Sequence, residues 1–273
     1  MKIALIGYGK MGRLLEARLV ERGHQVIAAV DTCYAGKSGT AFTPNGAFAF
    51  ASLAEAKKGA TGDNQKKFSL ADIDAAIEFS HPGAAAENLL FLAREKVPAV
   101  CGTTGWYARL PEITQAVNEA GSSLVWSSNF SLGVNIFYRI AEYAAKMMDP
   151  FKEYDVAGFE THHNNKADSP SGTAKTLVER VLAQMTRKKR AVYQTLDRKP
   201  EADELHYASL RVGTVPGTHS LLFDSAADTI EITHTARSRE GFAAGAVLAA
   251  EWLTAKNRTG VFTVEDVLAD VLP

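Results

Sequence analysis

Cysteine and net charge are both scarce in this chain. Its 273 residues include only two cysteines, Cys33 and Cys101, and the spacing between them is not that of a metal-binding pair. Two such thiols make no disulfide framework, so we expect both to be reduced. The 30 basic residues nearly balance the 31 acidic ones, which leaves a formal net charge of -1. This balance gives no electrostatic reason to expect nucleic acid or an anionic membrane as a partner.

Long apolar runs are also missing. The segment from Met1 to Ile6 reaches Gly7 too early to be the apolar region of a signal peptide, and no later stretch approaches the ~20 apolar residues of a membrane span. We therefore expect a cytoplasmic protein without a membrane partner. With 46% hydrophobic and 22% charged residues, the chain has the composition of one large or two modest globular domains.

Short apolar segments alternate with helical patterns in the first half of the chain. The predicted strands are residues 2–6, 25–30, 75–79, 99–101 and 123–126. Such alternation predicts a parallel sheet with helices on both faces. Between residues 32 and 69 the pattern weakens, and we expect irregular structure there around a short helix near residues 53–58.

The second half has a different pattern. A helix is predicted over residues 133–148, an extended run over 154–162, and strands over 206–212, 219–224 and 229–235. Consecutive strands with short turns predict an antiparallel or mixed sheet in a second domain. A last helix is expected at about residues 241–254. The predicted fold class is therefore α/β, with a Rossmann-like doubly wound parallel sheet followed by an α+β domain.

A glycine-rich turn follows the first strand and opens the first helix, and it fits the pattern G-x-G-x-x-G. In a dinucleotide-binding turn these glycines allow the tight turn, the approach of the pyrophosphate and the packing of helix on strand. A purely structural glycine turn is the alternative. The residues of this turn predicted to bind the cofactor are Gly7, Tyr8, Gly9, Lys10, Met11 and Gly12.

Asp31 ends the second strand, 19 positions after Gly12 (31 minus 12). A carboxylate there accepts hydrogen bonds from the adenosine ribose and repels a 2′-phosphate, and Thr32 follows instead of an arginine. We therefore expect NADH to be preferred over NADPH, although Lys10 or Lys37 could moderate this preference. The alternative interpretation of Asp31 is a turn residue at the end of a strand.

Three later strands end in loops on the side where doubly wound sheets bind ligands. Small hydroxyl residues in such loops can donate to a nicotinamide and to a substrate, and an ordinary turn is the alternative in each case. The additional predicted cofactor-binding residues are Phe79, Gly102, Thr103, Thr104, Ser127, Ser128, Asn129 and Phe130.

The segment from Glu160 to Ala174 is the richest in chemical groups. We expect Asp168 or Ser169 to cap a helix whose first residue is Pro170. The free N–H groups at this helix start would bind a carboxylate or a phosphate, next to cationic and proton-donating side chains. The predicted members of this anion pocket are Ser171, Gly172, Thr173, His162, His163 and Lys166.

Two other interpretations of this segment are open. A metal site built from His162, His163 and Asp168 is possible, but adjacent residues on a strand point to opposite faces, and no further cysteine or histidine cluster completes a ligand set. No metal is therefore predicted. A plain basic loop, with its histidines bonded to backbone carbonyls, is the second alternative.

These segments resemble the dihydrodipicolinate reductase family. The resemblance is carried by the run from His162 to Ala174, which is highly specific, by residues 102–105 and 129–135, and by Arg211-x-Gly213, and it spans nearly the whole chain. It implies an NAD(P)H-dependent reduction of a cyclic imine dicarboxylate, after loss of water, to tetrahydrodipicolinate. That reaction belongs to the biosynthesis of diaminopimelate and lysine.

The resemblance also implies residue roles and an assembly. Lys166 would be the proton donor, His162 the acid/base residue and His163 a substrate contact, while Gly172 and Thr173 would bind a substrate carboxylate. Thr104 would lie between cofactor and substrate. A dinucleotide-binding domain of residues 1–130, completed by 240–273, would be joined to a substrate-binding and oligomerisation domain of residues 131–239. The implied assembly is a homotetramer.

The chain departs from the family pattern in two places. Its glycine turn is one residue shorter than in some members, and Asp31-Thr32 stands where some members carry an acidic residue followed by arginine, so use of both cofactors cannot be carried over. Two alternative functions stay open. Glu95-Lys96-Val97-Pro98 faintly resembles a motif of other amino-acid or sugar dehydrogenases, but the inserted valine spoils the match, and a helix end that leads into a strand explains the segment better. The chain could also be a non-catalytic NADH sensor, although His162, His163 and Lys166 argue against this.

Overall fold

The computed structural model describes residues 1–61 and 67–271. The chain divides into two compact units. The first unit contains Met1–Ser131 and Arg239–Pro273, and the second contains Leu132–Ser238. The last two residues of the predicted segment 240–273, and residues 62–66 of the predicted segment 1–130, lie outside the described residues.

The strands and helices are labelled in chain order. The strands are β1 (Lys2–Ile6), β2 (Gln25–Val30), β3 (Ala41–Phe42), β4 (Phe48–Phe50), β5 (Ala60–Thr61), β6 (Lys67–Phe68), β7 (Ala75–Glu78), β8 (Ala99–Cys101), β9 (Ser123–Trp126), β10 (Asp155–His162), β11 (Arg190–Val192), β12 (Glu204–Arg211), β13 (Thr218–Asp224), β14 (Thr229–Thr235) and β15 (Gly260–Thr263). The helices are α1 (Lys10–Glu21), α2 (Leu53–Lys57), α3 (Pro82–Arg94), α4 (Leu110–Ala120), α5 (Leu132–Met148), α6 (Gly172–Gln184), α7 (Glu240–Ala255) and α8 (Val264–Val271). Among the described residues, no helix is both long enough and apolar enough to cross a membrane.

The first unit is built on an eight-stranded sheet with the order β15-β9-β8-β7-β1-β2-β4-β3. All neighbouring strands run parallel except the β3–β4 pair at one edge. Strand β1 lies between β7 and β2, so the chain changes direction across the sheet at β1, and this is where doubly wound sheets bind ligands. Its residues Ile3 and Leu5 are fully buried because both faces are covered. The predicted Rossmann-like fold is confirmed.

The region between residues 32 and 69 is more regular than predicted. It contains the expected short helix, α2, but also the buried strand β4, which pairs parallel with β2. Phe48 and Phe50 of this strand pack on Phe68, with ring centroids 5.9 and 4.9 Å apart. This aromatic cluster supplies the burial that holds so short a strand in the sheet. The edge strand β15 and helix α8 had also not been predicted.

The second unit has a five-stranded sheet with the order β11-β12-β10-β13-β14. Its central strand β10 runs parallel to β12 and antiparallel to β13, so the predicted mixed sheet is confirmed. The core joins buried residues of α5 and α6, such as Ala141 and Leu177, to Tyr207 and Phe223 of the sheet. Along β10 every second residue is buried, which puts Glu160 and His162 on the same inner face.

Candidate active site

The glycine turn of the first unit has little room for side chains at two of its positions. Gly7 has a φ of +90°, and a Cβ there would collide with the carbonyl group of Phe79. A Cβ at Gly12 would collide with the carbonyl oxygen of Gly7, so this glycine allows α1 to pack closely against the turn. At Gly9, by contrast, a Cβ would meet no atom within 4 Å. The middle glycine therefore borders open space at the start of α1.

A cavity of about 450 Å³ lies beside this turn. Four residues predicted from the sequence line it, namely Gly7, Gly9, Asp31 and Phe79. Thr32, Ser80 and His81, which follow Asp31 and Phe79 in the loops at the strand ends, also line the cavity. The lining residues without a predicted role are Ile6, Val30, Ala51, Ser52, Leu53, Ala84 and Asn88. The segment 51–53 was missed because it follows β4, a strand that the sequence pattern did not reveal.

Asp31 holds the turn and lines the cavity at the same time. Its two carboxylate oxygens accept hydrogen bonds from the backbone N–H groups of Tyr8, at 2.8 Å, and of Cys33, at 3.0 Å. Partial burial alone would raise the pKa of Asp31, but the hydrogen bonds from Cys33 and Tyr8 hold this pKa below its usual value. The carboxylate is therefore negatively charged at neutral pH. The interpretation of Asp31 as a turn residue and its predicted place in the cofactor site are compatible.

Other predicted cofactor residues do not line this cavity. The side chain of Tyr8 is buried and its hydroxyl group donates to Glu16. Lys10 is exposed and Met11 is half-buried at the start of α1. All three stay predictions as cofactor contacts.

The loops after β8 and β9 pack against Phe79 and Ser80. A Cβ at Gly102 would collide with the ring of Phe79, and the Thr103 hydroxyl oxygen accepts a hydrogen bond from the backbone N–H of Ser80 at 2.8 Å. The ring of Phe130 lies 6.1 Å from that of Phe79. Gly102, Thr103 and Phe130 therefore contact Phe79 and Ser80, two residues that line the cavity.

Of the other predicted residues in these loops, two form a turn and two lie at the surface. The Ser127 hydroxyl donates to the carbonyl oxygen of Asn129 at 3.0 Å, and Asn129 in turn accepts from the N–H of Ser131. Thr104 and Ser128 are exposed. The binding roles of Thr104, Ser127, Ser128 and Asn129 stay predictions.

In the second unit, a fully buried carboxylate, Glu160, lies near the end of β10. One of its oxygens, Oε1, accepts hydrogen bonds from the backbone N–H of Ser171 at 2.9 Å and the hydroxyl of Ser209 at 2.9 Å, and from Arg211 at 3.3 Å. Burial alone would raise the pKa of Glu160, but the hydrogen bonds from Ser171 and Ser209 hold this pKa below its usual value. Glu160 is thus a negative charge that the surrounding donors stabilise.

Two histidines face the other oxygen of Glu160. The Nδ1 atoms of His162 and His219 lie 3.3 and 3.9 Å from Oε2. Burial lowers the pKa of both rings despite the nearby carboxylate, and the pKa of His219 falls to about 4. At neutral pH both imidazoles are therefore uncharged.

Lys166 lies in the turn that follows β10. Its ammonium group forms an ion pair with the Asp168 carboxylate at 2.7 Å, and this pair lowers the pKa of Asp168. The backbone carbonyl of Asp168 accepts a hydrogen bond from Arg211 at 2.6 Å, which ties the turn to β12. His163 is half-buried, and its Nδ1 atom has no hydrogen-bond partner among the described residues.

Helix α6 begins two residues later than predicted. The expected cap at Asp168 or Ser169, with Pro170 as the first helical residue, is wrong, because Ser171 is the N-cap and Gly172 is the first residue of the helix. The hydroxyl oxygen of Ser171 accepts a hydrogen bond from the N–H of Ala174 at 3.0 Å. Since the Ser171 N–H already donates to Glu160, it does not belong to the free donors at this helix start.

Gly172 and Thr173 form the accessible end of α6. Gly172 is exposed, Thr173 is half-buried, and a Cβ added at Gly172 would meet no atom within 4 Å. The N–H of Gly172 points towards the Asp168 carboxylate and helps to lower the pKa of that group. A helix N-terminus with open space next to it, close to an ammonium group, can accept a carboxylate.

The structure brings together a possible metal-ligand set that differs from His162, His163 and Asp168. Glu160, His162 and His219 each offer one ligand atom, and these atoms lie within 4.8 Å of one another. Glu160 already forms an ion pair with Arg211 at 3.3 Å and accepts hydrogen bonds from Ser171 and Ser209. We therefore interpret this cluster as a network of hydrogen bonds and charges.

Sequence reasoning gave Glu160, Arg211 and His219 no role in the site. The alternation of buried residues along β10 is the signal that could have found Glu160, because it points to the same face as His162. Arg211 and His219 come from β12 and β13, and their approach depends on strand pairing that no local pattern reveals.

Comparisons with known proteins agree with one another over the whole chain. The family model described as the N-terminus of dihydrodipicolinate reductase matches residues 1–130, and the model of its C-terminus matches residues 133–268. The 4-hydroxy-tetrahydrodipicolinate reductase of Christiangramia forsetii is 38% identical over 273 residues, which cover 99% of both chains. That of Archaeoglobus fulgidus is 35% identical and covers 98% of this chain and 100% of its own.

A solved structure has the same fold. The dipicolinate-bound dihydrodipicolinate reductase from Paenisporosarcina sp. TG-14 superimposes with a TM-score of 0.76, and the match covers 100% of this chain and 99% of that one. At 19% sequence identity, this likeness supports the fold alone.

Proposed function

Because the chain belongs to the dihydrodipicolinate reductase family, we propose that it reduces a cyclic imine dicarboxylate to tetrahydrodipicolinate, after loss of water from the 4-hydroxy substrate. As a member of this family it is an NAD(P)H-dependent oxidoreductase. The proposed reaction supplies the diaminopimelate and lysine pathway. A different dehydrogenase and a non-catalytic sensor are not favoured, because the family models match both units of the chain.

One observation carries the proposal for the substrate. The open N-terminus of α6, at Gly172 and Thr173, lies in the same turn region as the Lys166 ammonium group. Backbone N–H groups at a helix start and a nearby cation are suited to a carboxylate. In the ligand-free chain the Asp168 carboxylate balances Lys166, and we infer that a substrate carboxylate shares or replaces this interaction.

The first unit fits a dinucleotide. Gly7 and Gly9 border a cavity next to the start of α1, where the helix N-terminus favours a pyrophosphate. Asp31 would accept hydrogen bonds from the adenosine ribose. When bound, the nicotinamide supplies the hydride. Because the Asp31 carboxylate is charged and Thr32 follows it, we propose that NADH is preferred over NADPH.

Lys166 would perform the proton transfer of the reaction. As hydride adds at C4 of the conjugated imine, electron density moves towards C3, and the Lys166 ammonium group would stabilise this charge and donate its proton to C3. General acid catalysis of this kind contributes ~10² to 10⁴ in rate. His162 would act as the acid/base residue of the pocket, and His163 would contact the substrate.

Further parts of the proposal rest on family membership. They are a homotetrameric assembly, a cytoplasmic location, and the assignment of cofactor binding to the first unit and of substrate binding and oligomerisation to the second. Size-exclusion chromatography with light scattering would test the assembly, and a dimer or a monomer would contradict it.

The reaction itself has a direct test. The protein is mixed with NADH and the cyclic imine formed from pyruvate and aspartate semialdehyde, and the absorbance of the reduced nicotinamide is followed. We expect rapid loss that depends on the imine, and binding of NADH without turnover would contradict the proposal. In the same assay with NADPH, a tenfold preference for NADPH, or ~1.4 kcal/mol in the wrong direction, would contradict the proposed choice of cofactor.

A further inference from the structure

The two oxygens of Glu160 have different surroundings. Oε1 accepts hydrogen bonds from Ser171, Ser209 and Arg211 and so joins the start of α6 to β12. Oε2 has no hydrogen bond of ordinary geometry among the described residues, and it faces the Nδ1 atom of His162 at 3.3 Å. Both of these facing atoms are buried. Oε1 thus connects the start of α6 to β12, while Oε2 faces the His162 ring.

We propose that Glu160 is a positioning residue that fixes the tautomer of His162, holding the ring proton on Nδ1 and leaving Nε2 as the atom that exchanges protons in the pocket. This inference rests on the proposed function, because it assigns Glu160 a part in the same site.

The tautomer follows from the hydrogen-bonding capacity of the two groups. A neutral imidazole carries one proton, on either Nδ1 or Nε2, and a carboxylate can only accept. A proton on Nδ1 therefore gives Oε2 a donor, whereas a proton on Nε2 would leave two buried lone pairs facing each other. At 3.3 Å the two atoms are close enough for a hydrogen bond but are poorly aligned, as the groups of catalytic hydrogen bonds often are before a ligand binds.

His219 does not compete for the same oxygen. Its Nδ1 atom lies 3.9 Å from Oε2, beyond hydrogen-bond distance, and 3.2 Å from the hydroxyl oxygen of Tyr207. At the other side of the His162 ring, Nε2 lies next to Gly217, where a Cβ would approach it to 2.9 Å. The absence of a side chain at Gly217 therefore keeps space beside the atom that the proposal leaves reactive.

The charged groups around His162 come from several elements, and Glu160 opposes the effect of the two cations on the pKa of His162. Arg211 of β12 and Lys166 of the following turn lower the pKa of His162, while Glu160 and Asp168 raise it. The neighbouring His219 of β13 is uncharged at neutral pH because its own pKa is lowered to about 4. Loss of the Glu160 charge should therefore shift the titration of His162 to lower pH.

Replacement of Glu160 by glutamine separates the framework role from the tautomer role. In Glu160→Gln the amide oxygen can take the position of Oε1 and keep the hydrogen bonds from Ser171 and Ser209. The amide nitrogen then takes the position of Oε2 and donates to Nδ1 of His162, which must accept. The ring proton is forced onto Nε2, so the variant should carry the opposite tautomer.

The experiment measures the ¹⁵N chemical shifts of the histidine rings in the ligand-free protein at neutral pH, with His162→Gln used to assign the signal. We expect the Nδ1–H tautomer in the wild type and the Nε2–H tautomer in Glu160→Gln. We also expect kcat/KM to fall by about tenfold or more, with its acid limb moved to lower pH. Glu204→Gln is the matched control, because Glu204 is also buried in this sheet but binds Arg198. This control should leave the His162 signal and the pH profile unchanged.

Several results would overturn the inference. An Nε2–H tautomer in the wild type contradicts it even if Glu160→Gln does not fold. An unchanged tautomer and pH profile in a folded Glu160→Gln would reduce Glu160 to a structural residue. Since the tautomer is measured without substrate, a wild type that lacks reductase activity but has the Nδ1–H tautomer would refute the proposed function and leave the role of Glu160 in positioning His162 supported.

Discussion

Substitution of Gly172 by alanine should change stability and substrate affinity in opposite directions. Gly172 is the first residue of α6, it is exposed, and a Cβ there would meet no atom within 4 Å. The fold therefore has room for the methyl group. Since alanine also loses less conformational entropy than glycine, we expect the free energy of unfolding to stay the same or rise by ~0.5 kcal/mol.

The same methyl group should weaken binding of the substrate. It would occupy the open space beside the Gly172 N–H, where we propose that a carboxylate binds. A hydrogen bond to a charged group contributes roughly 1.5–3 kcal/mol, and each 1.4 kcal/mol corresponds to about tenfold in affinity. Loss of one such bond in Gly172→Ala should therefore raise KM for the imine dicarboxylate by about 10- to 150-fold.

Gly9→Ala provides the matched comparison, because Gly9 also borders open space at a helix start, but in the first unit. We expect Gly9→Ala to weaken NADH binding and Gly172→Ala to leave it unchanged. Calorimetry with NADH, steady-state kinetics with the imine and thermal unfolding measure the three quantities. A Gly172→Ala variant with wild-type KM for the imine would refute the assignment of the carboxylate to the start of α6.

Three further predictions concern other residues. Lys166→Ala should lower kcat by ~10² to 10⁴ without changing the Kd of NADH, and near wild-type turnover would contradict its role as proton donor. Asp31→Asn should raise the ratio of kcat/KM for NADPH to that for NADH by about fivefold or more, which corresponds to the ~1 kcal/mol expected for the removal of one charge. Asp74→Asn is the control, because it also removes a carboxylate that accepts a hydrogen bond from a backbone N–H, and it should leave this ratio unchanged. Burial lowers the pKa of His219 from the ordinary 6.5 to about 4. Between these two values the unfolded chain binds a proton at His219 that the folded chain does not, so acidification destabilises the fold in this range. In His219→Asn the melting temperature should accordingly fall less steeply from pH 6.5 to pH 4, and an equally steep fall would contradict the buried neutral state of His219.

Local sequence patterns predicted the sheet of the first unit well. Strands β1, β2, β8 and β9 have the predicted bounds, because each is a short apolar run followed by a turn or a helix signal. Strand β4 was missed since its partners, the ring of Phe68 and the strand β2, are distant in sequence. Burial by such distant partners cannot be read from a window of a few residues.

The sequence predicted individual residues of the candidate site but not the contacts between them. The predicted site residues His162, Lys166, Gly172 and Thr173 lie in one segment of the chain, so a local pattern was enough to single them out. The start of α6 was misplaced because Ser169 and Ser171 are equally good caps by residue type. The Glu160 carboxylate accepts a hydrogen bond from the Ser171 N–H, and this contact favours Ser171 over Ser169 as the N-cap. That contact, like those from β12 and β13, depends on the tertiary fold.

The central claim is that the start of α6 and the Lys166 ammonium group together bind the carboxylate of the substrate. The most direct measurement is a crystal structure of this protein with NADH and pyridine-2,6-dicarboxylate. We predict a carboxylate oxygen of the ligand within hydrogen-bond distance, ~2.7–3.2 Å, of the N–H groups of Gly172 and Thr173, and the ligand in contact with the Nζ atom of Lys166. A dicarboxylate bound elsewhere, with these N–H groups left to water, would contradict the claim.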